Sequence, residues 1–442
     1  MEAHAQFLDA GVKVLSTATY QCSFRTFKRA GYSEDEAKQI MRKSVRIALD
    51  AATQKQGQVD VQRPRHTPVS SQSAFDPESK VKPKSPVTSP RIALSLGPFG
   101  AMLSPAQEFD GFYPPPYGPK GYSGNEGAST EPEGVNVNSF LDVQIEDADH
   151  DDGGKEGRQL DPKHQRQLEL ETASIEALTQ FHFERLMVFV DDVETWKAID
   201  IIAFETVPLV REVKAIRRAM GMVHQVIRER AKRRKGIGEE VDRDADAGME
   251  DLGWKPWWIS LVFPNGKFPE FDLRQEEQGH VRIHLSVADI VHAAWNWVEE
   301  DKPIWGTPST DRMNATTPIP NGLGINCTKL EEIPGIVKEI QRVGKWPIQD
   351  DENSVGESQR PWLVIYPNGG DSYDPISQNW IEDDSESKRG GSPEEWSRTL
   401  SKLGRDVLKD GFWGGVILGG CCRTGPSHIR ELRKALDLDC AT

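Results

Sequence analysis

Seven short runs of apolar, β-rich residues punctuate the chain with little alternation, the pattern of strands buried on both faces. They span residues 12–19, 91–98, 199–206, 257–264, 322–328, 362–368 and 413–421. Helical patterns follow most of them. Ser33 and Glu36 have capping-box spacing, and Ala37, Ile40, Met41, Val45, Ala48 and Leu49 continue as one apolar stripe. Leu209, Val213, Ile216 and Met220 repeat that stripe after the third run, and Ile429, Leu432 and Leu436 do so after Pro426 near the end.

Strand–helix alternation through the whole chain predicts an α/β fold with parallel strands covered by helices. Seven units nearly complete a (β/α)8 TIM-type barrel, whose usual length is about 250 residues. A chain of 442 residues then forms one barrel domain over 1–442 with long polar insertions. Three stretches, 56–90, 114–165 and 229–253, are too polar to bury enough surface to order themselves, so they are expected as disordered loops. The basic run Lys232–Lys235 in the last of them reads as a solvated helix end.

Charge and cysteine content narrow the class. A formal net charge of −15 argues against nucleic acid as a partner, because phosphate binding needs a basic surface. No apolar run is long enough for a membrane span, and the start carries no readable signal peptide. Five cysteines, an odd number in so long a chain, do not make a disulfide framework. A reducing, cytoplasmic setting is expected.

Three of those cysteines close apolar runs. Cys327 ends Gly-Leu-Gly-Ile-Asn-Cys, and Cys421 with Cys422 ends Val-Ile-Leu-Gly-Gly-Cys-Cys. In a parallel barrel every strand ends on the same face, so the three thiols can meet there. Adjacent side chains on a strand normally point to opposite faces, but Gly419-Gly420 permits a bend that turns both sulfurs one way. Three thiolates around a zinc ion leave its fourth position open to another thiol. Two other readings stand beside this one: buried structural cysteines, and a redox pair formed by Cys421 and Cys422.

Six motifs in order resemble the homocysteine S-methyltransferase family. They are Val14-Leu-Ser-Thr-Ala-Thr-Tyr-Gln, Ser95-Leu-Gly-Pro-Phe-Gly-Ala, Ala-Phe-Glu205-Thr-Val-Pro, Gly-Ile-Asn-Cys327-Thr, Tyr366-Pro-Asn-Gly-Gly and Gly-Gly-Cys421-Cys422-Arg-Thr-Gly-Pro-Ser-His-Ile-Arg. The resemblance implies a zinc-dependent barrel that methylates L-homocysteine to methionine. It makes Cys327, Cys421 and Cys422 the zinc ligands and Glu205 the carboxylate that holds the homocysteine amino group. Thr17, Tyr20 and Asn368 fall where the family lines its pocket. The ending Arg-Thr-Gly-Pro-Ser-His is similar to users of a sulfonium donor, S-methylmethionine or S-adenosylmethionine. Tyr20, Phe99, Tyr113 and Trp258 are candidates to hold such a cation by its attraction to an aromatic face.

One feature departs from the family pattern: the chain opens inside the first helix, at His4 and Ala10-Gly11, so the first strand is expected to be absent. An open seven-stranded sheet exposes two edges. The alternative to the enzyme is therefore a catalytically impaired zinc-binding barrel acting as an interaction protein.

Overall fold

Each of the seven apolar runs forms a strand, trimmed at its ends. The computed structural model describes residues 1–62, 89–119, 121–122, 162–236, 252–272, 283–297, 317–345, 360–370, 372–374, 379–381 and 392–438. The strands are β1 (Val14–Ser16), β2 (Arg91–Leu96), β3 (Ile201–Val207), β4 (Trp257–Leu261), β5 (Gly322–Asn326), β6 (Trp362–Tyr366) and β7 (Gly415–Leu418). They pair in chain order and all in parallel. Two short antiparallel pairs, Phe271–Asp272 with Ile283–His284 and Ser372–Asp374 with Asn379–Ile381, lie outside this sheet.

The sheet curls into a half-barrel. Ala93, Ile201, Ala203, Trp258 and Val364 form one inner cluster, joined by Val14 from β1 and Ile417 from β7. Trp258 fits because β5 offers glycine opposite it: a Cβ on Gly322 would lie 3.2 Å from the Trp258 side chain. Among the described residues β1 and β7 each pair on one side only, so the sheet they form is open.

Helices cover the outer face. They are α1 (Glu2–Asp9), α2 (Phe24–Arg29), α3 (Glu34–Gln62), α4 (Pro162–Val190), α5 (Val193–Ala198), α6 (Val210–Gly236), α7 (Val287–Val291), α8 (Ile333–Val343), α9 (Pro393–Asp406) and α10 (Pro426–Leu438). The capping box of α3 forms, with the Ser33 N–H donating to Glu36 at 2.8 Å. Met41 and Val45 of α3, Val213, Ile216 and Met220 of α6, and Val337 and Ile340 of α8 pack on Leu94, Ile202, Ile259 and Leu323 of the sheet. Burying each such side chain contributes about 1.5–3 kcal/mol. None of the described helices is long and apolar enough to cross a membrane.

Three expectations need adjustment. Leu49 is 38% exposed instead of completing the α3 stripe. The edges of the polar stretches belong to helices: α3 runs to Gln62, α4 starts at Pro162 and α6 carries Lys232–Lys235 as far as Gly236. The start of the second stretch is packed as well, since Tyr117 stacks on Phe99 at 3.9 Å and its carbonyl accepts from Ser174 at 2.5 Å, while Pro115 and Pro116 stay exposed. The tertiary contacts of those segments override their polar composition. The rest of 56–90, 114–165 and 229–253 lies outside the described residues.

Candidate metal centre

The three cysteines from β5 and β7 converge. Their ligand atoms lie within 4.8 Å of one another. Cys422 Sγ is 3.8 Å from Cys327 Sγ and 4.0 Å from Cys421 Sγ, while Cys327 and Cys421 are joined as a disulfide. No vicinal Cys421–Cys422 bond is present. Zinc–sulfur bonds of about 2.3 Å in tetrahedral geometry place sulfurs about 3.8 Å apart. The trio, once reduced, therefore has the donor chemistry and the spacing to hold a metal ion.

Local backbone geometry explains how the sulfurs meet. After β7 the Cys421 N–H donates to Pro367 at 2.9 Å, and the Thr424 N–H returns to the Cys421 carbonyl at 3.2 Å. A Cβ on Gly420 would sit 2.7 Å from the Thr424 Cβ, so this turn requires glycine. Cys327, Thr206 and Arg423 adopt φ of 48°, 59° and 63°, a left-handed conformation that non-glycine residues rarely take. Thr206 and Cys327 lie at strand ends and Arg423 in the turn after β7, and strain of this kind gathers at functional sites.

Asn326 holds the pieces together, and sequence reasoning gave it no role. Its Oδ1 accepts from the Thr206 N–H at 2.8 Å, and its Nδ2 donates to the Thr206 hydroxyl at 2.7 Å and towards Cys421 Sγ at 3.9 Å. The Thr206 hydroxyl in turn lies 4.0 Å from Cys327 Sγ.

Glu205 sits at the C-terminal end of β3. Burial raises its carboxyl from the usual range to about 7, against the lowering effect of a Ser95 hydrogen bond. No ion pair ties it to a basic side chain among the described residues. Tyr20 is half-buried between the carboxylates and the cysteines. Burial first, then the charge of Glu108, raises its phenol well above the ordinary value, with Glu205 and Cys422 adding to the rise.

The other sequence candidates are placed less centrally. The Thr17 hydroxyl pairs with Thr19 at 2.6 Å and accepts from the Ser95 N–H at 3.1 Å, fixing β1 to β2. Asn368 is buried beyond β6 with its Oδ1 unpartnered, and its carbonyl accepts from Trp396 at 3.0 Å. Among the aromatic candidates, Phe99 is stacked on Tyr117 and faces Arg25 at 5.8 Å, and Tyr113 donates to Glu212 at 2.6 Å. Trp258 fills the inner core. Tyr20 lies within electrostatic reach of Cys422.

A network behind the site was also invisible in the sequence. Glu212 of α6, fully buried, accepts from the Phe99 N–H at 2.7 Å and the Tyr113 hydroxyl, and pairs with His182 at 2.9 Å. Burial lowers the His182 pKa, which favours the neutral ring. Arg185 donates to the Gly97 and Tyr20 carbonyls at 2.7 and 3.0 Å.

The thiol trio and the Glu205 carboxylate lie at the C-terminal ends of parallel strands, the face on which barrel enzymes carry their active sites. The sequence profile described as Homocysteine S-methyltransferase matches residues 1–130 and 154–436. The chain belongs to that family of methyltransferases. It is 22% identical over 433 residues to "Selenocysteine Se-methyltransferase" of Brassica oleracea var. italica, covering 98% of this chain and 78% of that protein. It is also 22% identical to "Homocysteine S-methyltransferase 2" of Arabidopsis thaliana, covering 98% and 81%. Among solved structures, the metallated form of the homocysteine methyltransferase MmuM from Escherichia coli aligns at 16% identity and a TM-score of 0.47, over 98% of this chain and 83% of that one. Nothing in these comparisons supports an inactive interaction protein.

Proposed function

We propose that Cys327, Cys421 and Cys422 hold a zinc ion and that the chain transfers a methyl group from a sulfonium donor to L-homocysteine, giving methionine. The observation that carries this is the convergence of the three sulfurs beside an unpaired buried carboxylate, in a chain of this family. Bound zinc supplies deprotonation of the incoming thiol, whose free pKa is about 8.5.

The chain's own residues do the rest. Asn326 holds the ends of β3 and β5 together and directs its amide towards Cys421, which fixes the relative positions of two ligands and Glu205. Glu205, ionised, accepts the homocysteine ammonium and so aims the substrate thiol at the metal. Asn368 offers an unpartnered buried oxygen at the neighbouring strand end. Tyr20 packs across the mouth and limits water. Thr17 supports that mouth through its bond to the Ser95 backbone. A sulfonium donor, S-methylmethionine or S-adenosylmethionine, suits this site because its positive charge matches an anionic rim. A cytoplasmic location is consistent, since the ligands must stay reduced.

The test pairs metal content with turnover. The reduced chain is expected to carry about one zinc per molecule and to form methionine from homocysteine and S-methylmethionine. Cys327→Ala, Cys421→Ala and Cys422→Ala should each lose most of the metal, because two thiolates hold it poorly against water. Full zinc retention in all three variants would overturn the ligand assignment.

A further inference from the structure

The inner face of the sheet carries three buried polar groups that the methyl-transfer reading leaves unused. On β4, Trp258 belongs to the inner cluster, and Ser260, two residues on, shares its face. On β6, Tyr366 packs against the same cluster. β5 runs between these strands and sets glycine opposite both β4 residues, Gly322 beside Trp258 and Gly324 beside Ser260. A Cβ on Gly324 would overlap the Ser260 hydroxyl, so β5 must be bare at that point. Direct contacts tie Tyr366 to the thiol site. It is the register partner of Asn326, and its carbonyl accepts the Cys327 N–H at 3.3 Å. On its other side the Tyr366 Cβ lies 3.6 Å from the Cβ position of Gly419, two residues before Cys421. Tyr366 thus stands between the two strands that deliver the cysteines.

Trp258 Nε1, Ser260 Oγ and the Tyr366 hydroxyl are all buried, and none is at hydrogen-bonding geometry to a partner among the described residues. Trp258 and Ser260 are only 3% and 0% exposed. Each of the three groups can donate a hydrogen bond, and the indole can do nothing else. Burial first, then the charge of Glu205, raises the Tyr366 phenol well above its ordinary range, while the donors of Ser260 and Trp258 act to lower it. The phenol therefore keeps its proton, and the three donors share one space on the Glu205 side of the sheet. Donors buried without an acceptor cost the free protein stability. A native structure that keeps such groups has a use for them.

We propose that Tyr366, Ser260 and Trp258 form the subsite for the carboxylate of the thiol substrate, so that the chain reads both charged ends of a zwitterionic amino acid. This rests on the methyl-transfer reading above, in which Glu205 takes the ammonium. Neutral donors suit the place. A lysine or arginine here would pair with Glu205 and compete with the substrate ammonium, whereas hydroxyl and indole groups hold a carboxylate and leave Glu205 free. The substrate brings one charge of each sign, so binding it adds no net charge beside the thiolates. The specificity that follows is for α-amino acid thiols over amines that carry a thiol alone.

The experiment uses the full, reduced, zinc-loaded chain and two probes, homocysteine and 3-aminopropane-1-thiol, which keeps the ammonium and lacks the carboxylate. Binding is read by calorimetry. The wild type should bind the second probe about tenfold or more weakly, the loss expected for hydrogen bonds to a charged group. In Tyr366→Phe and in Ser260→Ala the homocysteine Kd should rise about tenfold, while the Kd of 3-aminopropane-1-thiol stays within about twofold. Neither variant should melt below the wild type, because each deletes a donor that has no partner in the free protein. Ser260→Ala, the smaller change, covers the case in which Tyr366→Phe fails to fold. Equal weakening of both probes, an unchanged homocysteine Kd in both variants, a wild type that binds the two probes equally, or a lowered melt in both variants would overturn the proposal. If homocysteine binds with this dependence on its carboxylate yet S-methylmethionine yields no methionine, the methyl-transfer reading fails and the carboxylate subsite stands. If methionine forms and the variants still discriminate between the probes as the wild type does, the subsite fails and the methyl-transfer reading stands.

Discussion

Glu205 is the residue whose chemistry is most exposed to measurement. With its carboxyl raised to about 7 by burial, it is protonated in a large share of molecules below neutral pH. The protonated form cannot hold an ammonium by charge. The sign is therefore fixed: kcat/KM for homocysteine should fall as pH drops through 7, approaching about tenfold per unit well below that point. Glu205→Gln should be weaker throughout and should lose that limb while keeping any limb due to the thiol. A wild-type profile without a group near 7, or a Glu205→Gln profile that retains it, would remove Glu205 from the binding role. The residue itself was legible because it closes an apolar strand within a recognisable motif. Asn326 sat in another such motif and still went unassigned. Its work is done on Thr206, 120 positions away, and no local pattern announces a contact of that separation.

Strands were the most legible elements, because parallel strands buried on both faces leave continuous apolar runs that composition alone displays. Their limits were less so. The run over residues 12–19 yields only Val14–Ser16, since β1 is an edge and the chain turns away at Thr17 to bond Thr19 and Ser95. The loop after β2 was read as sequence motif alone, and its order comes from α6. Glu212 meets Phe99 and Tyr113 across 113 and 99 positions. Glu212→Ala should leave the Phe99 N–H, the Tyr113 hydroxyl and His182 buried without their acceptor. At about 1–3 kcal/mol for each unsatisfied group, the loss should be at least about 3 kcal/mol in a urea melt. Tyr113→Phe removes only one of those donors together with its need, and should be much milder. Equal stability of Glu212→Ala and wild type would show that the loop is held by its aromatic packing instead.

At the scale of the whole molecule, a metal held by the three cysteines, as proposed above, would act as a structural clasp on a sheet that is open among the described residues. Among the described residues β7 has one strand neighbour, β6, and its residues are only half-buried, whereas β2 to β5 are buried almost throughout. α1 and α10 draw the two edges together from outside, where the Arg433 side chain passes 3.6 Å from the Cβ position of Gly11. The cysteines tie the end of β7 to β5, across β6. A metal bound there links an edge strand to the buried centre and leaves the β2–β3 region untouched. Metal that binds the folded form only stabilises by about 2.7 kcal/mol at a hundredfold excess over its Kd, and that gain should be felt first where local stability is lowest. In the reduced chain, adding a chelator should speed amide exchange in Gly415–Leu418 and the turn after it, with Ile202 to Phe204 in β3 little changed, and should lower the melting temperature. The disulfide-linked form should show the β7 protection without metal, since a covalent bond from Cys327 to Cys421 makes the same tie. Uniform loss of protection across the sheet on chelation would mean that the metal sets global folding, and no change in β7 would mean that the outer helices alone hold the edge.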